Sequence, residues 1–417
     1  MPDRRKNHEA QRKGYGKWPL SECRVACRFP SLKIIWRLGV LSLLSATFVL
    51  AATAAAPGKG VQVVSDEANR RVDITIDGKL FTAYIWPTSL KKPVLYPLID
   101  ADGITVTRGY PLEPRAGERM DHPHHAGLWF NYGSVNGFDF WNNSDAIKPE
   151  NRAKMGTVNH TRIVSTKSGP DRGELVVESV WITGEGKPIL NQTARYVFER
   201  RGSVRVIDQI VTLKALDHAV FNDDKEGLLG LRVARWLESP EEKGGVFTDA
   251  NGNATQVASA PAEPGSNPAN GVYLTSEGVT GTGTWGTRGR WCALTGHTGD
   301  HLASIAILDH PGNPGYPTYW HARGYGLFAA NPLGRSIFDP KQPAFNFTLE
   351  KDRTVTFRYR VMLATHAANP EELNKEADAF AAQYKLSLRD NHAGVYLFPA
   401  KPRALTAPAR ERRGFCA

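Results

Sequence analysis

The segment RTVTFRYRVML, residues 353–363, decides the fold class, because apolar and polar side chains alternate along its length. One face carries only apolar or aromatic side chains: Val355, Phe357, Tyr359, Val361 and Leu363. The other face carries Thr356, Arg358 and Arg360. A period of two residues indicates an antiparallel strand with one face in the core and the other toward solvent.

Two further segments show the same alternation and add turn signals. RVDITIDGKLFTAYIW, residues 71–86, changes direction at Asp77-Gly78, a dipeptide typical of tight β-hairpins. TARYVFERRGSVRVIDQIVTL, residues 193–213, contains a predicted turn near Gly202 between two apolar strands. Paired hairpins of this kind favour an antiparallel sheet protein.

A helix is strongly indicated in one segment, NPEELNKEADAFAAQY, residues 369–384. Asn369 is placed to cap it and Pro370 occupies the first helical position. Residues 249–284 are rich in Gly, Ala, Asn, Pro and Thr and are predicted as a long surface loop. We therefore expect an all-β domain over residues 60–385, a large antiparallel β-sandwich of the supersandwich type with one C-terminal helix.

Positive charge is concentrated at the two ends of the chain. The net charge is +10, of which residues 1–37 carry +7 and residues 401–417 carry +4. The remaining body is almost neutral, so we expect no nucleic-acid partner. We expect residues 386–417 to form a basic, disordered tail.

Residues 1–54 combine a basic segment, an apolar stretch and small residues at the end, which is the pattern of a secretory signal peptide. We expect cleavage after Ala54 and a periplasmic or extracellular location. If the leader is not cleaved, it would be the protein's contact with a membrane.

The first candidate site is MDHPHHAGLWF, residues 120–130, which contains Asp121, His122, His124 and His125. In an extended backbone, His122 and His124 would face the same way and His125 the other. Two imidazoles on one face suit a metal or a proton relay. The alternative is that these side chains hydrogen-bond backbone in a tight turn.

The second candidate site is FNDDKEGLLGLRV, residues 221–233. Glu226 is a candidate general base, because neighbouring charges can set the pKa of a carboxyl in such a loop. Arg232 lies inside an apolar strand, where a charge without a partner would be costly. An ordinary solvated turn remains the alternative.

The third candidate site is the loop DHPGNPGYPTYWHARGYGLFAANPLG, residues 309–334, and a wall next to it is expected from residues 131–143. Aromatic rings can stack on sugar faces while planar polar groups bind hydroxyls. Buried structural aromatics would look similar. The candidate residues are His310, Tyr319, Trp320, His321, Arg323, Tyr325 and Asn331, together with Trp141.

The histidine cluster does not match a common metal motif. After His125 no carboxylate occurs until Asp139, whereas a cupin-type site would place a glutamate nearby. Nucleophile-elbow, phosphate-loop, zinc-protease and dinucleotide-binding motifs are also missing from the sequence. We therefore predict no metal or other cofactor, although a His-bound metal stays open.

The four segments DHPHHAGLWF, VNGFDFW, DKEGLLGLRV and HPGNPGYPTYWHARGYGLFAANPLG resemble the bacterial PmoA-like family, a domain of unknown function often labelled methane oxygenase. The resemblance spans most of residues 61–365 and would imply a metal oxygenase. A looser similarity is to galactose-mutarotase-like proteins. It implies a sandwich fold in which a histidine acid and a glutamate base act on a sugar without metal.

Our leading hypothesis from the sequence is an exported carbohydrate-active enzyme that performs acid–base chemistry on a small-molecule or glycan substrate. It would be an epimerase, an isomerase or a lyase- or hydrolase-like enzyme. His122 or His124 would be the acid, Glu226 or His321 the base, and Arg232 and Arg323 would hold substrate oxygens. The alternatives are a non-catalytic glycan-binding protein and a His-ligated metal oxygenase.

Overall fold

The computed structural model describes residues 58–240, 243–259 and 268–384. The predicted leader, residues 1–54, and the predicted basic tail, residues 386–417, lie outside the described residues. The first ten strands along the chain are β1 (Val61–Asp66), β2 (Arg71–Ile76), β3 (Lys79–Ile85), β4 (Val94–Leu95), β5 (Leu128–Tyr132), β6 (Gly156–Lys167), β7 (Arg172–Thr183), β8 (Pro188–Arg201), β9 (Val204–Ala215) and β10 (Ala219–Phe221).

The later strands are β11 (Gly227–Arg232), β12 (Gly245–Thr248), β13 (Ala254–Val257), β14 (Val272–Thr275), β15 (Trp291–Thr298), β16 (His301–Asp309), β17 (Tyr319–Ala322), β18 (Leu327–Asn331), β19 (Phe347–Leu349) and β20 (Thr354–Ala364). The α-helices are α1 (Arg335–Phe338) and α2 (Pro370–Gln383). Short 3₁₀ turns occur at Glu67–Asn69, Pro149–Lys154, Arg235–Leu237 and Gly281–Thr284.

Most strands belong to two eight-stranded antiparallel sheets. The first has the order β1-β2-β3-β4-β5-β11-β18-β17, and the second has the order β14-β15-β16-β20-β9-β8-β7-β6. Apolar side chains from both sheets form one buried cluster, so the sheets pack face to face. The expected all-β sandwich is confirmed.

Strand β20 shows how the alternating pattern becomes a core. Phe357, Tyr359 and Val361 are buried in the cluster between the sheets, as the pattern predicts. Arg360 lies on the opposite face but is also buried, because helix α2 covers it. Its Nε donates to Asp208 at 2.7 Å. The expectation that Arg360 faces solvent was wrong, because the sequence pattern cannot show that a helix docks on this face.

The predicted β2–β3 hairpin has a two-residue loop, since Ile76 pairs with Lys79. Asp77 and Gly78 both have positive φ, 49° and 77°, as a type I′ turn requires. The predicted loop over residues 249–284 was only partly correct. It contains β13 and β14, which are only four residues long and therefore too short for the sequence pattern to reveal.

The outer face of the first sheet carries a second, smaller apolar cluster that includes Trp129, Trp141 and Leu327. In β5, Leu128 points into the main core and Trp129 points outward. Opposite Trp129 lies Gly230, where a Cβ would come within 2.4 Å of the indole. The glycine therefore lets the tryptophan lie against β11. No helix among the described residues has the length and apolarity needed to cross a membrane.

Candidate functional site

The histidine-rich loop enters β5 through a turn instead of an extended segment. His122 has a positive φ of 45°, and the N–H of His125 donates to the carbonyl of His122 at 2.9 Å. The rings of His122 and His125 are consequently parallel and 4.8 Å apart. The extended backbone on which His122 and His124 would share a face does not occur here, and their rings instead meet edge to face at 5.6 Å.

Four rings form a continuous stack on the outer face of the first sheet. Tyr325 lies 5.2 Å from His122, and His125 lies 5.3 Å from Trp129, each pair within 18° of parallel. The stack runs from Tyr325 in the β17–β18 loop to the buried tryptophan of β5. It joins two segments that are far apart in sequence into one surface.

Asp121 holds this loop to the sheet through two buried cations. Its Oδ1 accepts from Arg108 at 2.9 Å and from Arg232 at 2.7 Å, and it lies 3.1 Å from Nδ1 of His122. Burial opposes ionisation of Asp121, but the His122 hydrogen bond and the two guanidinium charges outweigh it and hold its pKa well below the usual range. Asp121 therefore stays charged and orients His122.

His125 is a structural member of the cluster. It is buried, with the indole N–H of Trp141 3.3 Å from Nε2 and a guanidinium nitrogen of Arg232 3.2 Å from Nδ1. Burial, with the charges around it, lowers its pKa well below the ordinary value. A ring facing two donors disfavours protonation, since an imidazolium has no acceptor left. We expect His125 to support the loop.

His124 lies beside a lysine that the sequence pattern did not reveal. Burial lowers the pKa of His124 to about 2, and the nearby Lys92 charge adds to the effect. Its Nε2 is buried and has no hydrogen-bond partner among the described residues. Lys92 donates to the carbonyl of His124 at 2.6 Å, and burial lowers its pKa to about 7. A cavity of about 10 Å³, lined in part by both residues, lies here.

Glu226 and His321 meet at the other end of the outer face. Nδ1 of His321 lies 3.0 Å from the carbonyl of Lys225 and 3.8 Å from Oε2 of Glu226. Burial raises the pKa of Glu226, which the ion pair with Lys225 partly opposes. Burial lowers the pKa of His321 to about 3. The raised pKa makes the Glu226 carboxylate a stronger base, and the neutral imidazole of His321 lies next to it.

Tyr325 links the two ends of the site electrostatically. Burial raises its pKa, Arg232 and Arg323 lower it, and the carboxylates of Glu226 and Asp121 each raise it. His122 is stacked 5.2 Å from this ring, and the guanidinium of Arg232 lies 4.9 Å from it.

Other predicted residues lie beneath or away from this surface. Trp320 is wholly buried in the core between the sheets, and Tyr319 stacks on Phe338. Asn331 is also buried and donates to the carbonyl of Asp224 at 2.7 Å, which supports the loop before β11. We expect these residues to shape the site and not to contact a ligand.

Two members of the third candidate site are separated. Arg323 is partly exposed and lies 5.7 Å from the rings of Trp285 and Tyr325, so it remains at the rim. His310 packs against Phe380 of helix α2, and the structure does not bring it to the other histidines. Its position at the end of β16, on the second sheet, explains the separation.

Sequence reasoning missed Arg108, Lys92 and Trp129 as parts of the site. Arg108 and Lys92 are buried charges in apolar surroundings, and such charges are rare without a partner. That signal could have identified them, as it did for Arg232. The partners of Arg108 and Lys92 could not have been identified from the sequence, because they are backbone carbonyls and the loop residue Asp121.

The donor atoms here do not gather around a common point. Within the described ranges, no group of three His, Cys, Asp or Glu side chains is arranged to hold a metal ion. Nδ1 of His122 is directed to Asp121, and both ring nitrogens of His125 face N–H donors. We therefore derive no step through a metal at this cluster.

A family model described as a family of unknown function, DUF6807, matches residues 71–378, which include every element of the site. The chain belongs to this family. No curated protein sequence matches it.

Solved structures similar to this DUF6807 chain include galactose-mutarotase-like proteins. A galactose 1-epimerase from Lactobacillus acidophilus NCFM is 11% identical with a TM-score of 0.35, covering 74% of this chain and 100% of that one. A galactose mutarotase-like protein from Lactobacillus casei ATCC 334 is 10% identical with a TM-score of 0.28, covering 73% and 100%. A GH36 alpha-galactosidase from Geobacillus stearothermophilus is 11% identical with a TM-score of 0.29, covering 70% and 40%. These similarities leave the activity of this chain open.

Proposed function

We propose that this protein is an exported carbohydrate-active enzyme that transfers protons at a sugar-like carbon, as an epimerase, an isomerase or a lyase- or hydrolase-like enzyme. The observation that carries the proposal is the position of Tyr325. Its ring stacks on His122 at 5.2 Å, and the guanidinium of Arg323 lies 5.7 Å from it at the rim. In the proposed site a sugar lies against this ring, between the oriented His122 and the buried carboxylate of Glu226.

His122 is the better acid of the two candidates. Its side chain is 41% exposed, and Nδ1 is directed to Asp121, so Nε2 is the nitrogen that remains for a substrate. His124 is a poor proton donor near neutral pH, because burial lowers its pKa to about 2. In the proposed reaction, Nε2 of His122 gives a proton to a substrate oxygen while Asp121 stabilises the ring.

Glu226 is the better base. Burial raises its pKa, which brings its basicity closer to that needed for proton abstraction near neutral pH. His321 is buried and lies against the carbonyl of Lys225, so we assign it the support of Glu226. Arg323 at the rim would bind substrate oxygens, whereas Arg232 is committed to Asp121 beneath the surface.

Turnover of a sugar panel tests the proposal. The panel is followed by NMR for anomer interconversion, deuterium uptake from D₂O and new reducing ends. His122→Gln and Glu226→Gln should each lower kcat by roughly a hundredfold or more. The matched controls are His366→Gln and Glu185→Gln, a partly exposed and an exposed position outside the site, which should turn over normally. Equal turnover by His122→Gln and the native protein would remove His122 from the mechanism.

The pH profile gives a second test that a structural defect would not reproduce. A base must be deprotonated, so activity should fall as pH drops through the raised pKa of Glu226. The Lys225 ammonium lowers that pKa. Lys225→Met should therefore move the acid limb of kcat/KM to higher pH, and a limb that stays in place would contradict Glu226 as the base.

The same experiments separate the alternatives. Saturable sugar binding without any product would favour a glycan-binding protein. Stoichiometric iron, copper or zinc that is lost on substitution of His122 and His124 would favour the metal oxygenase implied by the PmoA-like resemblance. Export rests on the leader predicted from residues 1–54, and fractionation of cells that make the full chain tests it.

A further inference from the structure

An open groove of about 480 Å³ lies where the end of β3 meets strand β6. Its lining includes Trp86 and His160 as aromatic groups and Arg70, Lys91 and Asn159 as polar groups. It shares Lys92 with the small cavity beside His124. None of the assigned acid–base residues lines it, so it is a separate feature of the surface.

The aromatic part of the groove is held in place by the core. The ring centroids of Trp86 and His160 are 4.1 Å apart, and the ring planes are inclined by 29°. The hydroxyl of buried Tyr84 lies 3.1 Å from Nδ1 of His160, which fixes the imidazole. Burial lowers the pKa of His160 to about 4, so the pair is an uncharged platform near neutral pH.

The charge of the groove is positive. No acidic side chain among the described residues lines it. The charge of Lys91 is already paired with Asp145 at 2.5 Å, so Arg70 is the cation of interest. Arg70 is exposed, and its guanidinium has no ion-pair partner among the described residues. The N–H of Trp86 donates to the carbonyl of Arg70 at 3.1 Å, so the backbones of these two residues lie side by side at the groove.

We propose that this groove binds an acidic sugar unit, a hexuronate of an oligosaccharide. One face of the pyranose lies on Trp86, and the carboxylate pairs with Arg70. A planar guanidinium matches a carboxylate in a two-point contact, and an indole offers an apolar plane for the C–H face of a sugar. Asn159 is placed to bind hydroxyls. This binding goes beyond the proposed function, because it requires no turnover.

Calorimetric titration of the full chain tests the proposal. The probes are trimers of galacturonate, mannuronate and guluronate, a carboxyl-reduced neutral trimer and a sulfated trimer. At least one uronate should bind more tightly than its neutral counterpart. Arg70→Gln should raise its Kd about fivefold, as expected for one exposed ion pair, and leave the neutral trimer almost unchanged. Salt should reduce the preference, because exposed charges are screened.

Arg162→Gln is the matched control, because Arg162 lies on the same strand as His160 but outside the groove. It removes the same charge and should leave uronate binding unchanged. Trp86→Ala should weaken the binding of every sugar trimer, with circular dichroism and thermal unfolding confirming that the variant is folded. If that variant does not fold, Arg70→Gln decides the test, since it changes an exposed side chain.

Several results would overturn the proposal. They are the absence of saturable binding to any uronate, equal affinity for neutral and acidic trimers, tighter binding of the sulfated trimer, or an equal effect of Arg162→Gln. Loss of this binding would leave the proposed acid–base function untouched, because His122→Gln and Glu226→Gln test that function at residues outside the groove.

Discussion

Replacement of Asp121 by asparagine tests the ionic basis of the histidine-rich loop. The carboxylate is 21% exposed, whereas Arg108 and Arg232 are 1% and 0% exposed. Loss of one member of a buried ion pair costs about 3–5 kcal/mol, because a charge is left without its partner. Asparagine keeps one oxygen acceptor, and Arg108 also donates to the carbonyls of His122 and His125 at 3.0 and 2.9 Å. We therefore expect the lower end, a loss of about 3 kcal/mol in the free energy of unfolding.

The pH dependence follows from the lowered pKa of Asp121. A group whose pKa is lower in the folded state stabilises the protein above its unfolded pKa, which is about 3.9 for aspartate. That contribution is lost as pH falls through the folded pKa. The difference between native protein and Asp121→Asn should therefore be constant from neutral pH down to about pH 5 and shrink below about pH 4.

Urea unfolding, followed by tryptophan fluorescence and circular dichroism, measures the difference. Asp352→Asn is the control, because Asp352 forms an exposed pair with Lys214 at 3.1 Å. It should change the free energy of unfolding by no more than about 1 kcal/mol. A loss below about 1 kcal/mol for Asp121→Asn, or a loss that does not depend on acid pH, would refute the assigned role of the ion pair.

Three other predictions concern packing, capping and reactivity. Gly230→Ala should displace Trp129 and destabilise the protein by about 1–3 kcal/mol, because the new Cβ would lie 2.4 Å from the indole. Thermal unfolding measures the loss, and the fluorescence of the native state is the second readout. Asn369→Ala should cost about 1 kcal/mol in urea unfolding, because Asn369 accepts from the first turn of α2 at 2.9 Å. Cys292 should resist thiol reagents until the chain unfolds, since it is wholly buried and burial raises the pKa of its thiol; peptide mapping by mass spectrometry measures this.

Each of these predictions has a result that contradicts it. Gly283→Ala is the control for the first, because a Cβ there meets nothing closer than 3.6 Å; equal stability of the two glycine variants would contradict the close packing at Gly230. No change on Asn369→Ala would show that the cap is dispensable. Labelling of Cys292 in the folded protein at the rate seen in urea would show that its strand opens readily.

The fold class followed from sequence because its strands carry local signals. In β20 and in the β2–β3 hairpin, alternation and the Asp77-Gly78 turn specify structure within a few residues. The burial of Arg360 carries no such signal, because its ion-pair partner Asp208 is 152 residues away.

The site was only partly predictable, for a related reason. Composition drew attention to His122 and Glu226 because clusters of titratable groups are rare in a neutral β-domain. Orientation could not be predicted, since the positive φ of His122 belongs to a turn formed by tertiary contacts. Burial of Trp320 was hidden as well, because a glycine-rich aromatic loop and a pair of core strands have similar composition.

The bond between Asp121 and Arg232 also bears on the order of folding, because it closes 111 residues of chain. Hairpins such as β2–β3 require only local closure and can form early, whereas a contact of this separation must wait until β11 has joined β5. A nascent chain that ends before Arg232 would contain the whole histidine motif without the guanidinium that anchors its aspartate. The catalytic surface we propose would thus be complete only once β11 has joined the sheet, and a chain that stops before Arg232 would lack it.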